Sequence, residues 1–119
     1  MRGRVVLLLA ATLFAAGAGW AGLQAAGSGN SRNDRLLAAP EAQRAQALGN
    51  SFHRGCVGVE AFQMGVTASG HAKGYAYWSV RCKNGKTYVV QIPPNVKNPM
   101  IVAECTVLNG TGKECFKKF

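Results

Sequence analysis

Alternating apolar and polar positions are clearest between Tyr75 and Ile92, YAYWSVRC-KNG-KTYVVQI, a pattern of two strands around the turn residues Asn84 and Gly85. Two registers compete. A two-residue turn opposes Cys82 to Thr87 and mixes apolar with polar side chains. A three-residue Lys83-Asn84-Gly85 loop, with Gly85 in the left-handed conformation, opposes Cys82 to Lys86. Trp78, Val80 and Cys82 then share a face with Tyr88, Val90 and Ile92, and Ser79, Arg81, Thr87, Val89 and Gln91 take the other. A one-residue slip would invert one strand, so the second register is expected. Pro93 and Pro94 stop the second strand. Met100 to Leu108 predicts a third strand, with Ile101, Ala103, Cys105 and Val107 on one side.

Helical patterning precedes the hairpin. Asp34 to Leu48 carries Leu36, Leu37, Ala38, Ala45 and Leu48; Pro40 either divides it or starts a second helix, and Gly49 and Asn50 end it. Residues 57 to 64 predict a short strand or irregular turn, because Gly58, Gly65, Gly70 and Gly74 interrupt the apolar residues that follow. Gly27 to Asn33, GSGNSRN, reads as a flexible tether. The expected fold is therefore α+β: a short N-terminal helical region and a small three-stranded antiparallel meander over residues 34–119.

Arg2 and Arg4 precede the uncharged run VVLLLAATLFAA and the small-residue stretch GAGWAG, the layout of an export signal over residues 1–26. A retained inner-membrane anchor is the alternative, since Val5 to Ala26 is 22 uncharged residues. Its second half is mainly Ala and Gly, which makes it a weak span. Either way the rest of the chain is expected outside the cytoplasm, periplasmic or secreted, with membrane contact through the N-terminal segment if it is not cleaved.

That destination changes the reading of the cysteines. Cys56, Cys82, Cys105 and Cys115 lie in the exported part, and four cysteines in a small extracytoplasmic domain predict two disulfides. Four cysteines allow three pairings. The meander favours Cys56 with Cys82 and Cys105 with Cys115, because Cys82 and Cys105 would stand two strand spacings apart, about 9–10 Å. No C-x-x-C is present, so a zinc ribbon, a c-type haem and a thioredoxin-like centre are all disfavoured, and neither a metal nor another cofactor is expected.

The chain has 14 Lys and Arg against 5 Asp and Glu, a formal charge of +9 that falls to +7 without Arg2 and Arg4. For an exported domain this points to anionic lipid or envelope polymer, or to an acidic protein surface, and not to nucleic acid. Lys83 and Lys86 at the hairpin tip and Lys117 and Lys118 at the C-terminus are the candidate patches. Tyr75 and Tyr77, with Arg81, complete the candidate interaction surface, whereas Trp78 and Tyr88 are read as core.

The run Tyr77-Trp78-Ser79-Val80-Arg81-Cys82, then Asn84-Gly85-Lys86-x-Tyr88-x-Val90, Cys105 and Cys115-Phe116, resembles a group of short exported bacterial proteins. The resemblance spans roughly residues 52 to 119 and implies a small secreted or envelope domain without a defined activity. The C-x-x-G-x-x-Y-x-V hairpin is also similar to a motif of periplasmic lysozyme inhibitors, but a cationic domain would repel cationic lysozymes.

Enzymatic readings find less support. His53, His71 and Lys73 could serve a small basic ribonuclease, which needs two imidazoles flanking one phosphodiester. No motif links Asp34, Glu41, Glu60, Glu104 and Glu114 into a glycosidase pair, and Gly112-Lys113 lacks the remainder of a phosphate loop. No catalytic residue is assigned. The expected role is that of a non-enzymatic envelope or interaction protein, with the small hydrolase and the lysozyme-inhibitor-like binder as alternatives.

Overall fold

The computed structural model describes residues 27–119; residues 1–26, read above as an export signal or a membrane anchor, lie outside the described residues. Two helices, α1 (Ser31–Ala38) and α2 (Glu41–Asn50), precede strands β1 (Gly58–Val66), β2 (Ala76–Cys82), β3 (Thr87–Ile92) and β4 (Ile101–Glu104), and a 3-10 turn occupies Cys105–Leu108. The strands form one antiparallel sheet in the order β1-β2-β3-β4. The fold is α+β with two disulfides, but the sheet has four strands where three were expected.

The additional strand is β1: where residues 57–64 were expected as a short strand or irregular turn, a nine-residue strand pairs with β2 at the edge of the sheet. Gly58 is needed because α2 crosses the strand so closely that a Cβ there would run into the Ala45 carbonyl. Two irregularities in the β1–β2 register, at Gly58/Glu60 and Gln63/Gly65, break the alternation a strand normally shows. The expected third strand is correspondingly shorter. It pairs from Ile101 to Glu104 and then coils into the 3-10 turn, taking Cys105 and Val107 off the sheet.

The central hairpin takes the three-residue register. Arg81 faces Thr87, the Cys82 amide donates to the Lys86 carbonyl at 2.8 Å, and Gly85 sits at φ 88°. The inner face therefore presents Trp78, Val80, Cys82, Tyr88, Val90 and Ile92, all buried, to Leu36, Leu48 and Phe52 from the helical side. Removing each large side chain from water contributes roughly 1.5–3 kcal/mol, so this inner layer is the main source of stability.

Pro40 separates the helices, with Ala39 held extended before it, as the ring requires. Helix α2 ends at Gly49 and Asn50, as expected. Gly49 is buried in that last turn, where a Cβ would stand 2.7 Å from the Cys56 carbonyl oxygen. Residues 27–33 are not a tether. Asn30 caps α1 by accepting from the Asn33 amide at 3.1 Å, and its Nδ2 donates to the Gly74 and Ile92 carbonyls at 2.9 and 2.8 Å. Short polar side chains that cap a helix and also satisfy buried carbonyls look like linker in a sequence, because both roles favour Asn, Ser and Gly.

The disulfides are Cys56–Cys82, with Cα atoms 5.1 Å apart, and Cys105–Cys115, at 5.8 Å. The first ties the α2–β1 connection to the end of β2 inside the core. The second anchors the C-terminal segment to the end of β4. Such bonds suit an oxidising compartment. No helix among the described residues is long and apolar enough to cross a membrane.

Candidate functional site

The second face of the sheet, drawn from sequence as its polar side, is covered by the last five residues. Cys115 fixes where this segment starts, and Phe116 turns it with a left-handed backbone, φ 62°. The Phe116 amide then donates to Ser79 Oγ at 2.9 Å, and the Phe119 amide to the Met64 carbonyl at 3.2 Å. Ser79 is fully buried in consequence, although it stands on the side of the strand opposite the helices. Gly65 leaves room for the Phe119 ring, whose atoms approach within 2.9 Å of where a Cβ would be.

Aromatic rings and cations interleave along this cover. Phe62 and Phe116 pack at 6.2 Å between centroids, and the Phe119 ring meets Tyr77 edge-on at 5.6 Å. The Arg81 guanidinium lies 4.8 Å over Phe116, Lys118 Nζ 5.6 Å over Phe62, and Lys113 Nζ 5.7 Å over Phe119. Each ring attracts the cation above it through its quadrupole, holding charge in place at the surface. Arg81 also pairs with Glu60 at 2.8 Å across the β1–β2 ladder, and Lys117 approaches Glu114 at 3.9 Å. These are the ion pairs among the described residues. Neither Lys113 nor Lys118 belongs to one.

The residues expected to form one interaction surface divide into groups. Lys117 is exposed and pairs with Glu114, whereas Arg81 and Lys118 belong to the cation–aromatic layer. Tyr77 adjoins it as a wall, half-buried against Phe119, its hydroxyl accepting from Gln91 Nε2 at 3.1 Å. Tyr75 precedes β2, with its carbonyl accepting from the Thr67 amide. Lys83 and Lys86 flank the β2–β3 turn, exposed, and their side chains take part in no ion pair among the described residues. Two other cations are committed to the backbone: Arg32 bridges the Pro93 and Asn95 carbonyls, and Arg44 caps α1 through the Ala39 and Leu37 carbonyls.

Between the sheet, the 3-10 turn and Phe119 the covering layer leaves a groove of about 350 Å³. Its floor is apolar, formed by Met64, Val89 and Ala103, and Leu108 closes one side. Lys113 is the charged residue that lines it. Sequence reasoning did not find this site because Phe116 and Phe119 belong to no periodic element. The one sequence signal is their spacing after Cys115, whose disulfide brings them back over the sheet.

His53 and His71 lie beyond opposite ends of β1, in the turns before Gly58 and after Val66. Nine strand residues at about 3.3 Å each put the two turns far beyond the reach of a shared phosphodiester. No group of three or more His, Cys, Asp or Glu among the described residues could hold a metal ion. The Glu114 carboxyl is the ionisable group with a distinct displacement. The Gly112 amide donates to it at 3.0 Å and, with its own amide and nearby Lys117, holds it below its ordinary 4.5.

Compared with protein-family models, with curated proteins and with solved structures, the chain matches none.

Proposed function

We propose that the chain is a non-enzymatic exported protein that contacts anionic components of the cell envelope through its cation–aromatic face. The observation that carries this reading is the stacking of Arg81, Lys113 and Lys118 over Phe116, Phe119 and Phe62 on one side of the sheet. Cations held against rings lose less conformational entropy on meeting an anion than free lysines do, and the rings beside them can enter an interfacial region. The sign agrees with the formal charge of +7 that remains without Arg2 and Arg4, and two disulfides accord with the export signal read in residues 1–26.

The test is co-sedimentation with phosphatidylglycerol-containing vesicles and with zwitterionic vesicles. Binding to the anionic vesicles alone is expected, weakening sharply above about 0.3 M salt, where the screening length falls to about 6 Å. The variant Arg81→Gln/Lys118→Gln should bind several-fold less. Equal binding to both vesicle types, or none to the anionic ones, would reject the reading. Intact mass of the envelope-recovered protein, before and after reduction and alkylation, tests export: loss of the leader and two closed disulfides are expected.

A further inference from the structure

We infer that the groove on the outer sheet face binds a single-chain carboxylate amphiphile, its alkyl chain on the apolar floor and its carboxylate on Lys113. This deepens the proposed function, and rests on it for the negative sign of the ligand. The volume, about 350 Å³, lies within the roughly 300–1,000 Å³ typical of small-molecule sites. The rim keeps Ile101, Val107 and Phe119 at 57%, 61% and 50% exposure. Three large apolar side chains left to water around one depression are unfavourable unless something covers them.

Charge selects the class of occupant. No carboxylate lines the groove, and Lys113 brings one ammonium that belongs to no ion pair among the described residues. One ammonium matches one negative charge. A phosphate monoester would carry about −1.5 to −2 and leave part of that charge unmatched. Part of the polar lining is paired within the groove wall, where Gln91 Nε2 donates to the Tyr77 hydroxyl oxygen at 3.1 Å, and the alkyl chain is placed on the apolar floor of Met64, Val89 and Ala103.

The experiment is calorimetric titration of the oxidised full chain with dodecanoate below its micellar range. One saturable site per chain is expected, in the micromolar range. Lys113→Gln should weaken dodecanoate binding about tenfold, the value of one charge-assisted contact, and leave dodecan-1-ol binding unchanged. Ala103→Trp, which fills the floor, should abolish binding. Val107→Glu, at an exposed position that the fold does not depend on, should do the same by placing a carboxylate at the rim.

No saturable site in the wild type, or undiminished affinity in both Ala103→Trp and Val107→Glu, would overturn the proposal. So would a concentration-dependent dimer that Val107→Glu dissociates, which would assign the groove to a second copy of the chain. The two readings separate cleanly. Vesicle binding without dodecanoate binding rejects the groove alone, whereas dodecanoate binding without vesicle binding rejects the charged face and keeps the groove.

Discussion

The indole Nε1 of Trp78 donates to Oδ1 of Asn33 at 2.8 Å, joining the central strand to the first helix with both residues closed to solvent. The same oxygen accepts from Gln63 Nε2 at 3.3 Å, and Asn33 Nδ2 donates to Ser28 Oγ at 3.1 Å. A buried amide that satisfies both neighbours sets the position of α1 on the sheet. Removing it strands the indole N–H, and an unpaired buried donor costs about 1–3 kcal/mol.

Asn33→Ala should therefore lower stability by about 2–3 kcal/mol, seen as a lower urea midpoint at unchanged slope. Trp78→Phe in the same background removes the stranded donor. The double variant should lose less than the two single variants together. Strict additivity would show that the hydrogen bond does not couple helix to sheet.

This contact also shows where the sequence stopped being legible. Trp78 is read as core from alternation alone, and the hairpin register follows from keeping six apolar residues on one face. Asn30 and Asn33 could not be found that way. A polar residue bonded to groups 45 or more positions away carries no local pattern. The outer layer was hidden for the same reason: Phe116 and Phe119 reach the sheet through the Cys105–Cys115 bond, not through any periodicity of their own.

The glycines make a graded test. At Gly85, φ is 88° and no atom beyond the adjacent residues lies within 4 Å of where a Cβ would stand, so Gly85→Ala should cost only the left-handed conformation, about 1–2 kcal/mol. Gly58→Ala meets the Ala45 backbone, which cannot swing aside as a side chain can. It should push α2 off β1 and cost more, about 3 kcal/mol, the upper range for overpacking. Chemical denaturation of the two variants checks the order; the reverse order would mean that α2 does not approach β1 so closely.

The disulfides should differ in access. Cys56 and Cys82 are buried beneath the helices at 6% and 2% exposure, whereas Cys115 sits half-exposed beside the Gly110–Gly112 turn. Exchange needs the attacking thiolate to reach a sulfur, so limited reductant with alkylation should label Cys105 and Cys115 first. Replacing that pair by serines should cost about 2.7 kcal/mol by loop entropy, for a separation of 10 residues. The serine variant should also weaken dodecanoate binding, because Phe119 loses its anchor. Early labelling at Cys56 and Cys82 would contradict the burial of that bond.

Glu114 gives the Gly110–Glu114 turn a pH dependence of known sign. Its carboxyl is held below the ordinary 4.5, chiefly by the Gly112 amide, so the folded turn favours the ionised form. The resulting stabilisation is fully present above the ordinary value and disappears as pH falls through the lowered one. The Gly112 amide resonance should therefore shift with a midpoint below 4.5, and Glu114→Gln should abolish that transition. The carboxylate lies at the surface, so the global unfolding midpoint of Glu114→Gln should stay close to that of the wild type at neutral pH. A Gly112 transition at or above 4.5 would show that its amide does not hold the ionised carboxylate in solution.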